Sequence, residues 1–485
     1  MEIPPLDRAS PVPLSRQLLA WFRAAASDGS LPAGEELPAT RALARELGVS
    51  RNTVCEAYDL LAAEGYIECG TGRRARVAAG LELRGAARDA AAGAPEPPPR
   101  LPPLETDLRT GLPDPAFLPK KTWARALLLA AENAEPGDWL YGPSAGHPAL
   151  RSEIAAYLFR NRGMRVAGDR VFVTAGATHA LHVLATVMAR NGRPAAVEDP
   201  CHRGLQRTLA LAGLPVVSVE ADESGMKTAN LAGVDAGLAY VTPSHQFPLG
   251  GILSADRRAQ LIRWARDRGA WIVEDDYDSE FRYAGPPVAP LWTMDADRTV
   301  YVGTFSKTFF PALRIGFAVV PPALEAEWKE ARVHADVQNP VFEQLALARL
   351  LADRTIDRHV AKMRRLYARR RAALLAALSA AFADGIRVLG DASGLHVAVR
   401  FASVRFDRDL VGRARERGIR LVSAERHSVA GGAWQDTLLL GYGHLDEAAL
   451  AAGVSRIAAF LAEDRAAAIL PGPGLPRGPR ALRRA

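Results

Sequence analysis

In the stretch TVYVGTFSKTFFPALRIG, Thr299 to Gly316, one lysine follows an apolar run of strand length and an arginine stands seven residues beyond it. Lys307 is preceded by Ser306 and followed by Phe309, Phe310 and Pro311. An ammonium at the end of a buried strand among such neighbours loses water, which favours the neutral amine that attacks a carbonyl carbon to form a Schiff base. GTFSKT also echoes a phosphate loop, with Gly303 four residues before the lysine. The second glycine directly before the lysine is missing, so nucleotide binding by that device is disfavoured.

A reactive lysine of this kind suits pyridoxal 5′-phosphate, which asks the protein for a carboxylate at its ring nitrogen, donors for its phosphate, and a face to lie against. EDDYDSEFRY offers Asp275 and Asp276 directly after the apolar AWIV, with Tyr277 placed to bond a ring hydroxyl. Asp278 and Glu280 read as an acidic surface loop. No histidine lies close to them in sequence, so no metal site is expected. TAGATHAL runs strand, small turn, helix. Free amides at Gly176, Ala177 and Thr178 would suit a phosphate at a helix N-terminus, with Arg314 and the hydroxyls of Thr304 and Ser306 completing the cup.

The elements that must hold these residues alternate. VFVTAG, AAVEDP, LAYVTPSHQ, AWIVEDD and TVYVGTFS are apolar and of strand length, and helical patterns separate them. The order predicts an α/β fold with a mostly parallel sheet covered on both faces, whose ligands gather at the carboxyl ends of the strands. Thr174, Asp199, His245, Asp275 and Ser306 close those runs. Upstream, LELRGAARDAAAGAPEPPPRLPPL (81–104) is rich in alanine and proline and reads as a linker. The expected divisions are therefore a first domain at 10–80, the linker, a large domain at 105–465, and a basic Pro/Gly/Arg tail at 466–485.

In the first domain Leu14, Leu18, Trp21, Phe22 and Ala25 make one helical stripe. Thr40 and Ser50 stand where N-caps of two further short helices would, joined by Gly48-Val49. Val54, Ala57, Tyr58 and Leu61 face inward, and Arg51, Asn52 and Thr53 open the last helix outward, as the recognition helix of a helix-turn-helix does. YIECGTGRRARVA then alternates as a two-stranded wing around Gly70-Thr71-Gly72, with Arg73, Arg74 and Arg76 on the return. A small protein-binding helical domain is the rival reading of the same pattern.

Composition fits two folded units: 485 residues, 48% hydrophobic and 24% charged. Cys55, Cys69 and Cys201 lack any C-x-x-C spacing, which argues against a disulfide framework or a zinc site and for a reducing cytoplasm. No apolar run approaches the ~20 residues that span a bilayer. The net charge of +7 favours polyanions, although the basic tail with Arg477, Arg480, Arg483 and Arg484 is no specific reader by itself.

LPATRALARELGVSRNTVCEAYDLLAAEGYIE resembles the winged helix-turn-helix of GntR-type bacterial regulators, over about sixty residues. That resemblance implies contact with a double-stranded DNA operator through Arg41, Ser50, Arg51 and Thr53. The wing departs from the usual Gly-Ser-Gly-Thr-Phe by reading GTGRRARV, which shifts weight to backbone contacts and predicts marked salt sensitivity. The large domain resembles fold type I pyridoxal-phosphate enzymes, which adds a smaller C-terminal α+β part to the expected fold. TPSHQFPLGG, EDDYDSEFRY and VGTFSKTFFPALRIG, behind a GntR-type reader, resemble the MocR/GabR regulators.

In that family the lysine serves as a ligand-sensing aldimine. The resemblance implies Lys307 as the cofactor lysine, Asp275 at the ring nitrogen, Tyr277 at the phenolic oxygen, Arg314 and Thr304 at the phosphate, and His202 in the ring-stacking position. It further implies Tyr141 reaching in from the partner of a head-to-tail homodimer, Arg426 as an anchor for an effector carboxylate, and a small amine or amino acid, or the cofactor itself, as effector. EDPCHRG stands where EDPGY is commoner, and Gly204 where the GABA-responsive member carries a carboxylate-binding arginine, so GABA does not carry over. A working aminotransferase that carries a DNA-binding domain is the alternative.

Overall fold

The computed structural model describes residues 6–27, 29–70, 73–79 and 102–469. Most of the expected linker, the wing residues Thr71 and Gly72, and the tail arginines lie outside the described residues. The chain divides into two units, Met1–Arg100 and Leu101–Ala485.

In the first unit α1 (Leu14–Ser27), α2 (Thr40–Glu46) and α3 (Arg51–Ala63) bury Leu18, Phe22, Ala25, Leu43, Val54, Ala57, Tyr58 and Leu61 in one core. These are the stripes that helical spacing predicts. Phe22 and Tyr58 meet edge to face at 5.7 Å, and the Tyr58 hydroxyl donates to the Pro38 carbonyl at 2.9 Å. Trp21 stands at the margin of this core, half-buried. Ser50 caps α3, its Oγ accepting from the Thr53 amide at 3.1 Å. Thr40 does not cap α2 as expected: it is the first helical residue, and the N-cap is Ala39, which brings no side-chain acceptor. Gly48, at φ +63°, makes the turn between α2 and α3. Ile67–Glu68 pairs antiparallel with Arg76–Val77, which is the wing.

The second unit is built on β1 (Val171–Thr174), β2 (Ala195–Asp199), β3 (Val216–Asp222), β4 (Gly225–Met226), β5 (Leu238–Val241), β6 (Trp271–Asp276), β7 (Thr299–Thr304) and β8 (Gly316–Val319). They form an eight-stranded sheet in the order β1-β8-β7-β6-β5-β2-β3-β4. The central pairings from β7 to β3 are parallel. β8 runs antiparallel to both its neighbours, β7 and β1, and β4 runs antiparallel to β3. Alternate residues of each strand enter opposite cores, as strand geometry requires. Val197, Val273 and Val300 pack with the helix Ala177–Ala189 on one face, and Ala196, Ala239 and Ile272 with the helix Ala255–Asp267 on the other.

Ile386–Leu389, His396–Phe401 and Thr437–Gly441 make a smaller antiparallel sheet. Its His396–Phe401 strand shares a core with the helices Thr355–Phe382 and Glu447–Ile469. That last helix continues into residues read from sequence as tail. The beginning of the unit is tied to this part: Thr106–Asp107 pairs in parallel with Ile419–Arg420, and the Gly441 amide donates to Leu108. Among the described residues no helix is long and apolar enough to cross a membrane.

Candidate functional site

A cleft of about 240 Å³ is lined by Lys307, Asp275, Tyr277, Arg314, Thr304, Ser306, Ala177, Thr178 and His202 among others. The ends of β6 and β7 and the start of the helix after β1 all reach it, as the switch from strand to loop in a parallel sheet provides.

Lys307 follows β7 in a loop braced by aromatics. Phe305 and Phe309 are buried, and Trp123 meets Phe309 and Phe310 edge to face at 5.6 and 5.7 Å. The lysine Nζ donates to the Gly111 carbonyl at 2.7 Å. Burial lowers its ammonium below the ordinary lysine value, against the pull of Asp278 and Asp275. That is the direction a nucleophilic amine needs.

Asp275 accepts from the Tyr240 hydroxyl at 2.6 Å through Oδ2, while its Oδ1 is shielded from solvent and has no partner in the protein. Burial pushes this carboxyl up to about 6, with the Tyr240 bond acting in the other direction. A shielded acceptor without a donor is costly unless something supplies one. A protonated ring nitrogen entering the cleft would do so and would hold Asp275 ionised.

The opposite end is built for an anion. Gly176, at φ +85°, turns β1 into the helix Ala177–Ala189, and a Cβ there would lie 2.7 Å from Arg314 Nη2. Arg314 itself sits at φ +52°, a left-handed conformation that costs a residue with a side chain on the order of 1 kcal/mol or more. Its guanidinium is held by donation to the Ala175 carbonyl at 2.7 Å. The Gly176 amide is not the free donor expected, because it bonds Thr174 O at 2.8 Å. The amides of Ala177 and Thr178 begin the helix, where no intrahelical acceptor exists. The Thr304 hydroxyl donates to Ser306 Oγ at 3.0 Å and accepts the Ser306 amide at 3.1 Å. Arginine, two hydroxyls and two helix-start amides together fit a phosphate.

His202 folds over Gly204, where a Cβ would lie 2.5 Å from its Cε1. Burial lowers its imidazolium below the usual value. Arg426 is exposed and does not line the cleft among the described residues. Its neighbour His427 stacks on His202 at 6.5 Å and meets Phe247 edge-on at 5.0 Å. Tyr141 is 88% exposed.

The acidic loop expected after Tyr277 is not one. Asp278 is 1% exposed and faces His245 Nδ1 at 3.0 Å, with His396 close by. The three residues bring potential ligand atoms within 4.8 Å of one another, although the sequence showed no histidine beside Asp278. Asp278 and His245 already use each other as partners. Tyr240, Phe247, His396 and Gly111 are site residues that the sequence does not single out, and Gly111 lies 196 residues from the lysine it touches. His245, one of the polar residues that close the strands at the ligand edge, meets the Tyr277 hydroxyl at 2.9 Å.

On the reader, Arg41 is exposed at the start of α2 and Ser50, Arg51 and Asn52 at the start of α3, and Thr53 is half-buried with its Oγ1 2.8 Å from Ser50 Oγ. Arg73 and Arg74 are exposed on the wing. Glu36 pairs with Arg76 and lies 4.0 Å from Arg74, so part of the wing's positive charge is offset within the domain.

Residues 14–77 match the family described as bacterial regulatory proteins, gntR family. Residues 111–431 match aminotransferase class I and II. The "Probable rhizopine catabolism regulatory protein MocR" of Rhizobium meliloti is 35% identical over 96% of this chain and 97% of its own length. The "HTH-type pyridoxine biosynthesis transcriptional regulator PdxR" of Corynebacterium glutamicum is 36% identical over 76% of this chain and 79% of its own. Among solved structures, the α-aminoadipate aminotransferase of Thermus thermophilus, complexed with N-(5'-phosphopyridoxyl)-L-leucine, is similar with a TM-score of 0.68 at 27% identity, covering 74% of this chain and 92% of that one. The cofactor of the second unit is pyridoxal 5′-phosphate, in agreement with the donor set of the cleft.

Proposed function

We propose that this chain, which belongs to the MocR/GabR family of transcription regulators joining a gntR-type DNA-binding domain to an aminotransferase domain, senses a primary amine or amino acid at Lys307 and reports it to an operator. The observation that carries the reading is the half-buried Lys307 amine, its ammonium lowered by desolvation, in one cleft with the partnerless Asp275 Oδ1 and the Arg314 end. When bound, pyridoxal 5′-phosphate supplies an aldehyde that condenses with amines. Lys307 would present the amine, Asp275 would hold the ring nitrogen protonated, Tyr277 would meet the ring oxygen, His202 would cover the ring, and Arg314 with Thr304, Ser306, Ala177 and Thr178 would hold the phosphate. Were Lys307 released, its Nζ would be free to change partners, a local event that two conformations of the large domain could feel differently.

The protein works in this reading as a cytoplasmic head-to-tail homodimer. Trp139, Leu140 and Tyr141 are 62%, 69% and 88% exposed in one consecutive run, a surface that suits a second copy and brings Tyr141 to the partner's cleft. Two readers then meet two half-sites.

The test is a panel of primary amines titrated against operator binding at fixed salt. An effector should change DNA affinity by about 5- to 150-fold, and DNA should change effector affinity by the same factor. Rapid, sustained transamination with DNA affinity unmoved by any amine would favour the working aminotransferase instead. On the reader, Arg51→Ala is expected to weaken operator binding by about 1–3 kcal/mol, measured by fluorescence anisotropy. Unchanged DNA retention would instead support the protein-binding reading.

A further inference from the structure

We infer that Asp278 and His245 are positioning residues for the cleft: together they keep the Tyr277 hydroxyl hydrogen turned toward the ring oxygen of the bound cofactor. The inference rests on the reading that Tyr277 faces that oxygen.

Asp278 and His245 are 1% and 2% exposed. His245 Nδ1 lies 3.0 and 3.2 Å from the two carboxylate oxygens and 2.9 Å from the Tyr277 hydroxyl oxygen. A nitrogen lone pair facing a carboxylate at this range is repelled, so Nδ1 carries the hydrogen and shares it between the carboxylate and the phenol oxygen. His245 Nε2 is buried without a partner, so the ring makes its hydrogen bonds through Nδ1. With its oxygen accepting from Nδ1, Tyr277 must direct its own hydrogen elsewhere, and Tyr277 lines the cleft. Burial, and after it the charge of Asp278, raises the Tyr277 phenol well above its ordinary value, so the hydrogen stays on.

Gly394 locks the arrangement. It lies at φ +83°, and a Cβ there would come 2.1 Å from His245 Cε1 and 2.6 Å from Asp278 Oδ2. The backbone thus closes directly over the pair and leaves the ring no room to turn away. If the carboxylate were an amide, no charge would hold the hydrogen on Nδ1; with that hydrogen moved to Nε2, the single Nδ1 lone pair would accept from the Tyr277 hydroxyl and draw its hydrogen out of the cleft.

The experiment uses the full chain loaded with pyridoxal 5′-phosphate and reads the pH midpoint of the cofactor's visible absorbance change. A donor at the ring oxygen stabilises its anion, so losing that donor should raise the midpoint by about one pH unit. Tyr277→Phe and Asp278→Asn should each do this, and the double variant no more than either, because both remove the same bond. His245→Leu should behave like Asp278→Asn. His245→Asn, whose amide N–H can stand where Nδ1–H stood, should return the midpoint close to the parent value. Lys307, Asp275, Tyr240, Arg314, His202 and His396, the other titratable groups lining the cleft, are the same in all these proteins. A midpoint unmoved by Tyr277→Phe would remove the reading that Tyr277 meets the ring oxygen. A shift with Tyr277→Phe and none with Asp278→Asn or His245→Leu would overturn the inference while leaving that reading intact. Should Asp278→Asn fail to fold, the leucine and asparagine variants at His245 decide the matter between them.

Discussion

Lys307→Ala is expected to abolish covalent retention of pyridoxal 5′-phosphate altogether. After borohydride reduction the parent protein should carry a pyridoxyl group on the peptide containing Lys307, and the variant should carry none. The expectation follows from the surroundings of that amine. Burial favours its neutral form, its loop is fixed by Phe305 and Phe309, and its hydrogen bond to the Gly111 carbonyl is one that a neutral amine can also make. Arg314, Thr304 and Asp275 remain in the variant, so weaker, non-covalent binding should persist. A ligand present at about a hundred times its Kd stabilises the state that binds it by about 2.7 kcal/mol. The parent should therefore melt at clearly higher temperature with cofactor than without, and Lys307→Ala should lose most of that difference. Lys307→Arg separates charge from chemistry, since it keeps a cation in the loop but presents no amine able to condense, and should lose the pyridoxyl mark as completely. Finding the mark undiminished in either variant would show that another side chain is the cofactor's lysine and would unseat the site as proposed.

Legibility divided along a physical line. Lys307, Asp275, Tyr277 and Thr304 are readable because each ends an apolar run, and a buried parallel strand puts whatever ends it at the ligand edge. β1, β2, β5, β6 and β7 are readable for the same reason, being continuous and buried. β3 alternates between buried and exposed positions near the sheet edge, and β8 is a four-residue strand directly behind the strained Arg314 turn. β3 therefore lacks the continuous apolar signature of an interior strand, whereas β8 carries it, all four of its residues being buried; neither was among the expected strands. The histidines were hidden for a different reason. His396 reaches the cleft from the smaller sheet, His427 backs His202 from the short helix Ala424–His427, and only tertiary folding sets them against Phe247 and His202. Asp278 was misread because acidic residues in series suggest solvent, whereas here the chain turns inward and His245 receives the carboxylate. In the reader nearly all was legible, because short amphipathic helices carry their burial in their spacing. The exception, Ala39 in place of Thr40 as N-cap, is a shift of one residue, within the usual uncertainty of a helix end.

Arg162→Met is expected to destabilise the second unit by about 3–5 kcal/mol, read as a fall in urea midpoint at unchanged slope. Arg162 ends the helix Pro148–Arg162 and meets Asp276 at 2.7 Å, with both side chains almost wholly buried. Its other guanidinium contact is Ser244 Oγ at 3.1 Å, and Asp276 also accepts from the Tyr301 hydroxyl at 2.6 Å. The cation is surrounded by acids. Burial, reinforced by the charge of Asp276, pushes both Glu274 and Glu280 up to about 7. Methionine fills much of the same volume but leaves Asp276 charged, buried and unpaired beside them, and that uncompensated charge rather than lost packing sets the size of the effect. Asp276→Asn in the same background should therefore recover part of the loss, since it removes the stranded charge while its amide can still bond Tyr301. The two substitutions should be strongly non-additive. Because Asp276 directly follows Asp275 on β6, the single variant should also weaken cofactor binding without touching a cofactor contact. A loss below about 0.5 kcal/mol, the range of an ordinary surface change, would mean that water or a neighbouring group satisfies Asp276 without the arginine, and that the acids of β6 do not depend on this one cation.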